Sequence, residues 1–182
     1  MRKIKFLAEM KENGKLDIVD PSKNISESYL LKSDSHIESA KILLRSGKLE
    51  ESVSMSYYAM YHCLLALLFR YGIKSENHAV SIILLKELFK ENNLAELISF
   101  GKSERFDKQY YTDFEITKMD AEDMVRKAEE FMLGSLPIGE HGTYHDEDRK
   151  VCFLSNVQTA NSTLRNTEIY NFIEKVMKNR SH

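Results

Sequence analysis

The sequence predicts an all-α fold, an up-and-down helical bundle of about five core helices with a C-terminal extension. Three observations lead there. The 182 residues include only 2 Pro and 7 Gly, while 30% are charged, so helix formers outweigh turn chemistry. The stretch Ser54–Gly72, SMSYYAMYHCLLALLFRYG, is apolar or aromatic almost without break from Met55 to Phe69 and holds no Pro or internal Gly. Such a run has apolar residues on every side of a helix and cannot lie on a surface. Spanning a bilayer takes about 20 apolar residues; this run is shorter and carries His62 in its middle. It therefore reads as a central helix covered on several faces. Finally, the segments around it repeat apolar residues at helical spacing, with charged residues between them.

The elements follow in order. Residues 2–12 form a short helix with Ile4, Phe6, Leu7 and Met10 as its apolar side, ended by Asn13-Gly14; Asp20-Pro21-Ser22 marks the next turn. A long helix runs from about Ile25 to Arg45. Leu30, Ile37 and Leu44 fall seven apart with Ala40 between, Lys32, Asp34, Glu38 and Lys41 take the other face, and Ser46-Gly47 is the stop. The central helix starts near Leu49 and closes at Tyr71-Gly72, antiparallel to its predecessor because few residues join them. Ile73 to Asn77 is a turn. A third core helix, Ala79 to Asn92, points Ile82, Leu85, Leu88 and Phe89 inward. A fourth, from Leu94 to about Phe106, uses Leu97 and Ile98 and is weakened by Gly101. Residues 107–116 read as an aromatic-rich loop. Thr117 is an N-cap, with Asp120, Glu122 and Asp123 in the first turn, for a fifth helix lined by Met124, Ala128, Phe131 and Met132 and ended by Gly134 and Pro137. These elements give residues 1–136 as the bundle and 137–182 as the extension, a polar loop followed by a terminal helix over Thr167–Lys178.

Charge and cysteine content narrow the chemistry. A net charge of −2 argues against a strongly basic nucleic-acid binder but leaves room for a local basic patch. Cys63 and Cys152 are too few and too far apart for a disulfide framework or a cysteine zinc site. The start, MRKIKFLAEMKENGK, has no apolar signal core, so a cytoplasmic location without membrane attachment is expected.

The order of short strings along residues 15–135 resembles the HEPN-domain family. They are Glu38-Ser39-Ala40-Lys41, Leu43-Leu44, Ser56-Tyr57-Tyr58-Ala59-Met60-Tyr61-His62, Tyr71-Gly72-Ile73, His78, Leu88-Phe89, Arg105 with Tyr110, and Ala121-Glu122-Asp123 to Ala128-Glu129-Glu130-Phe131. The resemblance implies a helical bundle, a homodimer, and the toxin half of a pair with a minimal nucleotidyltransferase antitoxin, cleaving RNA without metal or cofactor. It also implies a non-catalytic alternative, a module that binds nucleotide, RNA or the nucleotidyltransferase. Nucleolytic members carry an Arg, four to six residues, then a His, with a polar residue after the Arg. Here Arg105 is followed by Phe106, and Tyr110 stands where His would be, as is common in the subgroup. The resemblance thus assigns Arg105 to phosphate charge and Tyr110 to the proton, although Tyr titrates near 10 against about 6.5 for His. A structural reading of the same residues pairs Arg105 with Asp107 or Asp113 and packs Tyr110.

Other candidates rest on the residues themselves. Lys102 and Lys108 flank Arg105 beside Tyr110 and Tyr111, a mix of cations and rings that suits single-stranded RNA; a solvated helix end accounts for it equally. Ser54, Tyr58 and His62 recur every fourth residue, a polar stripe on an apolar helix that would line a cleft or a dimer seam, unless His62 is a hydrogen-bonded core residue. His78 suits a capping or ion-pair role. His141, His145 and Asp146 have metal-like spacing, but Gly139 and Gly142 argue against the helix they would need, so no metal site is expected.

Overall fold

The computed structural model describes residues 2–110, 116–134 and 166–178. Seven helices are seen among them: α1 (Arg2–Glu12), α2 (Lys23–Arg45), α3 (Leu49–Arg70), α4 (His78–Glu87), α5 (Asn92–Tyr110), α6 (Lys118–Leu133) and α7 (Asn166–Lys178). Two three-residue strands, β1 (Leu16–Ile18) and β2 (Ile73–Ser75), pair antiparallel. The fold is all-α, as expected.

α3 is the centre. Thirteen of its 22 residues are buried, among them Tyr57, Met60, Leu64, Leu67 and Leu68, which places neighbours on every side. Its length and composition alone would let it cross a membrane, yet 72% of its apolar window is buried inside the bundle, so it serves as a core helix. α2 lies along it, buried through Leu30, Ile37 and Ala40. Small residues let the two backbones approach closely, and two serines fix their register. The Ser33 hydroxyl donates to the Ala59 carbonyl at 2.7 Å and the Ser52 hydroxyl to the Ala40 carbonyl at 2.8 Å. Each bond satisfies a buried hydroxyl that would otherwise cost roughly 1–3 kcal/mol.

Local signals explain the helix ends. Ser22 accepts from the Ile25 N–H to start α2, and Gly47 leaves it at φ +73°. α6 opens with a capping box in which Thr117 and Asp120 each accept the other's backbone N–H, and it closes on Gly134 at φ +69°. The buried face of α6 is the expected Met124, Ala128, Phe131 and Met132, extended by Ala121 and Val125.

The structure corrects three local readings. Ile73–Ser75 is a strand rather than a turn, paired with Leu16–Ile18 in the register Leu16↔Ser75 and Ile18↔Ile73. α4 ends at Glu87 rather than near Asn92. α5 runs on to Tyr110, so residues 107–110 are helical rather than loop; residues 111–115 lie outside the described residues. Gly101, read as a weakness in α5, is a packing requirement. A Cβ there would come within 2.5 Å of both the Met60 and Met124 Cε atoms. The terminal helix is found where expected and packs against α1, with Val176 buried.

Candidate functional site

The site forms where α5 crosses α3. Gly101 allows the close approach, and Arg105, one turn later on the same face, reaches over the rings of α3. Its guanidinium carbon lies 4.6 Å from the Tyr58 ring centroid and 5.7 Å from that of Tyr57. Stacking occupies the guanidinium face, while its N–H donors lie on the edge. Beside it is a cleft of about 240 Å³ lined by Glu50, Glu51 and Ser54 of α3, Glu104 and Arg105 of α5, and Ile116.

From Tyr58 an aromatic run follows the seam between α3 and α2. The His36 ring is 5.8 Å from Tyr58 and stacks 4.8 Å from His62; His62 stacks 5.7 Å from Tyr29, and Tyr29 5.4 Å from Phe69. The Lys32 ammonium sits 5.2 Å over Tyr29, so one cation covers Tyr58 at the start of the run and another covers Tyr29, one ring before Phe69. The expected stripe Ser54, Tyr58 and His62 is thus in place, with Tyr58 beneath Arg105 and Ser54 in the adjoining cleft. His62 is half-buried and stacked between rings.

A second branch leaves Tyr57, whose hydroxyl lies 2.5 Å from His78 Nδ1. The His78 ring is also stacked 3.7 Å from Tyr61. His78 does not cap α4. Asn77 does, accepting from the Ala79 and Val80 N–H groups at 2.9 and 3.1 Å, which corrects the capping expectation and leaves the imidazole to face the rings.

The three imidazoles share one electrostatic bias. Burial first, then His36 and Lys32, push His62 down to about 4. Burial and Lys32 lower His36; burial, Arg105 and Lys102 lower His78. Tyr57 is raised well above the ordinary phenol value, mainly by burial, with Arg105 pulling the other way. At neutral pH the site therefore holds neutral imidazoles and an un-ionised phenol around a fixed guanidinium.

Lys102 is half-buried on α5, close enough to bias His78. The α5 backbone carries Lys108 and Tyr110, but their side chains lie outside the described residues, as do Tyr111 and the His141, His145 and Asp146 group. Among the described residues no group of three or more His, Cys, Asp or Glu could hold a metal ion. Sequence reasoning missed His36 and the bond between Tyr57 and His78. Tyr29, Lys32 and His36 fall at helical spacing on α2, a readable signal; the contact of Tyr57 with His78 spans two helices and had none.

Comparison with known proteins gives a consistent picture. The HEPN domain family matches residues 26–133. An Archaeoglobus fulgidus "UPF0332 protein" is 31% identical over 101 residues, 56% of this chain and 81% of the relative. A "UPF0332 protein" of Pyrococcus horikoshii is 38% identical over 53 residues, 29% of this chain and 37% of the relative. The Methanocaldococcus jannaschii "Putative toxin MJ0142" is 30% identical over 111 residues, 58% of this chain and 76% of the relative.

Proposed function

The chain belongs to the HEPN-domain family, and on that footing we propose that it is a toxin-type, metal-independent endoribonuclease, acting as a cytoplasmic homodimer and held in check by a minimal nucleotidyltransferase partner. The observation that carries this reading is Arg105, a fixed cation laid 4.6 Å over Tyr58 beside a cluster of neutral imidazoles. A guanidinium in that position meets the charge that develops on phosphorus when a ribose hydroxyl attacks it. Lys102, with Lys108 and Tyr111 further along, would hold the flanking strand by phosphate contact and stacking, and the family pattern puts Tyr110 at the position of its proton-carrying histidine. The Ser54–Tyr58–His62 stripe and the aromatic run beyond it supply the dimer seam. The relative named as a toxin supports the class, since the chain covers three quarters of it.

A second reading rests on a different observation. Glu50, Glu51 and Glu104 crowd the cleft around Arg105, and three carboxylates repel a phosphate strand while attracting a basic side chain. Under that reading the cleft docks the nucleotidyltransferase, and the protein binds without cleaving. One experiment separates the two: incubation of single-stranded RNA in EDTA with the wild type and with Arg105→Ala. Cleavage lost in the variant supports the nuclease. Intact RNA with both, together with partner binding that Arg105→Ala or Glu104→Ala weakens, supports the docking module.

A further inference from the structure

The position that the family pattern gives to a histidine holds Tyr110, a weak proton carrier at neutral pH. The geometry supplies a different group. We infer that His78 is the general base of the Arg105 site, taking the proton from the attacking ribose hydroxyl in place of Tyr110. The inference rests on the ribonuclease reading above.

The argument begins with how His78 is held. β2 and the Asn77 cap fix its backbone at the first position of α4. Its ring is clamped by Tyr61 at 3.7 Å, and its Nδ1 is tied to the Tyr57 hydroxyl at 2.5 Å. That hydroxyl belongs to the ring over which Arg105 lies at 5.7 Å, so one phenol joins the base to the cation. No hydrogen bond from a described residue to Nε2 is seen, and the residue is partly buried rather than closed off. This is the logic of an oriented base, with one nitrogen fixed by a third group and the other left for substrate. A phenol both donates and accepts, so it serves the neutral ring with its proton on Nδ1 and also the imidazolium formed later. Tyr57 is a positioning residue. Burial first, then the charges of Arg105 and Lys102 that face it, keep the ring neutral, the state that a base needs.

The step balances without a co-reactant other than water. The 2′-hydroxyl proton passes to Nε2 as the 2′-oxygen bonds to phosphorus, and Arg105 meets the charge on the phosphoryl oxygens. The P–O5′ bond breaks, the leaving oxygen takes a proton from water, and His78 returns its own to solvent. The products are a 2′,3′-cyclic phosphate and a 5′-hydroxyl.

The test measures cleavage of a single-stranded RNA oligonucleotide in EDTA by the wild type, His78→Gln, Tyr57→Phe and Tyr110→Phe, with RNA affinity and melting recorded for each. Loss of a general base lowers the rate by about 10²–10⁴. That loss is expected for His78→Gln with RNA affinity retained. The wild-type rate falls on an acid limb below the ordinary imidazole value, a limb that His78→Gln abolishes and Tyr57→Phe shifts. Wild-type rate and pH profile in His78→Gln overturn the inference, as does a loss confined to Tyr110→Phe. Should His78→Gln fail to fold, Tyr57→Phe decides, and an unchanged rate and limb refute the assignment. A wild type that cleaves nothing overturns the ribonuclease reading itself and the inference with it, an outcome distinct from cleavage that ignores His78.

Discussion

Acid is the perturbation that the imidazole cluster predicts most sharply. His62 is held near 4 against an ordinary 6.5, because protonation would place a charge among half-buried rings beside His36 and Lys32. A histidine whose folded value is depressed binds fewer protons than it does unfolded. Its contribution to stability is therefore full above about pH 6.5 and is lost as pH falls toward 4. A drop of about 2.5 units corresponds to roughly 3.4 kcal/mol if fully realised. His62 is only partly buried, so solvent screening reduces this to about 1–2 kcal/mol. His36 and His78 are depressed in the same direction and add to the slope. Urea unfolding at pH 7.0, 6.0, 5.0 and 4.5 measures it, with His62→Phe as control because phenylalanine keeps the stacking and cannot titrate. The wild type should lose stability steadily over that range, and His62→Phe should lose about 1–2 kcal/mol less. Equal slopes in the two proteins, or a His62 titration midpoint at or above 6.5 by NMR, would refute the reasoning.

Three further substitutions test the packing around the site. Gly72→Ala should destabilise by about 2 kcal/mol or more in thermal or urea unfolding, since φ is +71° and a Cβ would lie 2.5 Å from the Val19 carbonyl oxygen. Ser33→Ala should cost about 1 kcal/mol by the same measurement, because it removes the hydroxyl bond that ties α2 to the Ala59 carbonyl of α3. Thr117→Ala should cost about 1 kcal/mol, visible as earlier exchange of amides in the first turn of α6, whereas Thr117→Ser should be near neutral.

The helices were readable in the sequence because their signals are local. The apolar run of α3, the sevenfold spacing in α2 and the Thr117 cap each sit within a few residues of the structure they specify. The two strands were not, since three residues are too few to establish alternation and their pairing joins positions more than fifty residues apart. Gly101 shows the same limit differently: a local propensity scale reads it as a defect, and only Met60 and Met124 reveal why it fits. The site divides along that line. Arg105 and the Ser54–Tyr58–His62 stripe followed from motif and helical period. The approach of Arg105 to Tyr58, and of His78 to Tyr57, depends on how α5, β2 and α4 are laid against α3, which no short-range pattern encodes.

The ends left on RNA test the central claim most directly. Single-stranded RNA incubated with the wild type in EDTA should yield fragments bearing 2′,3′-cyclic phosphate and 5′-hydroxyl termini, and Arg105→Ala should yield none. RNA that stays intact, or 5′-phosphate termini that appear only when a divalent metal is added, would contradict the account.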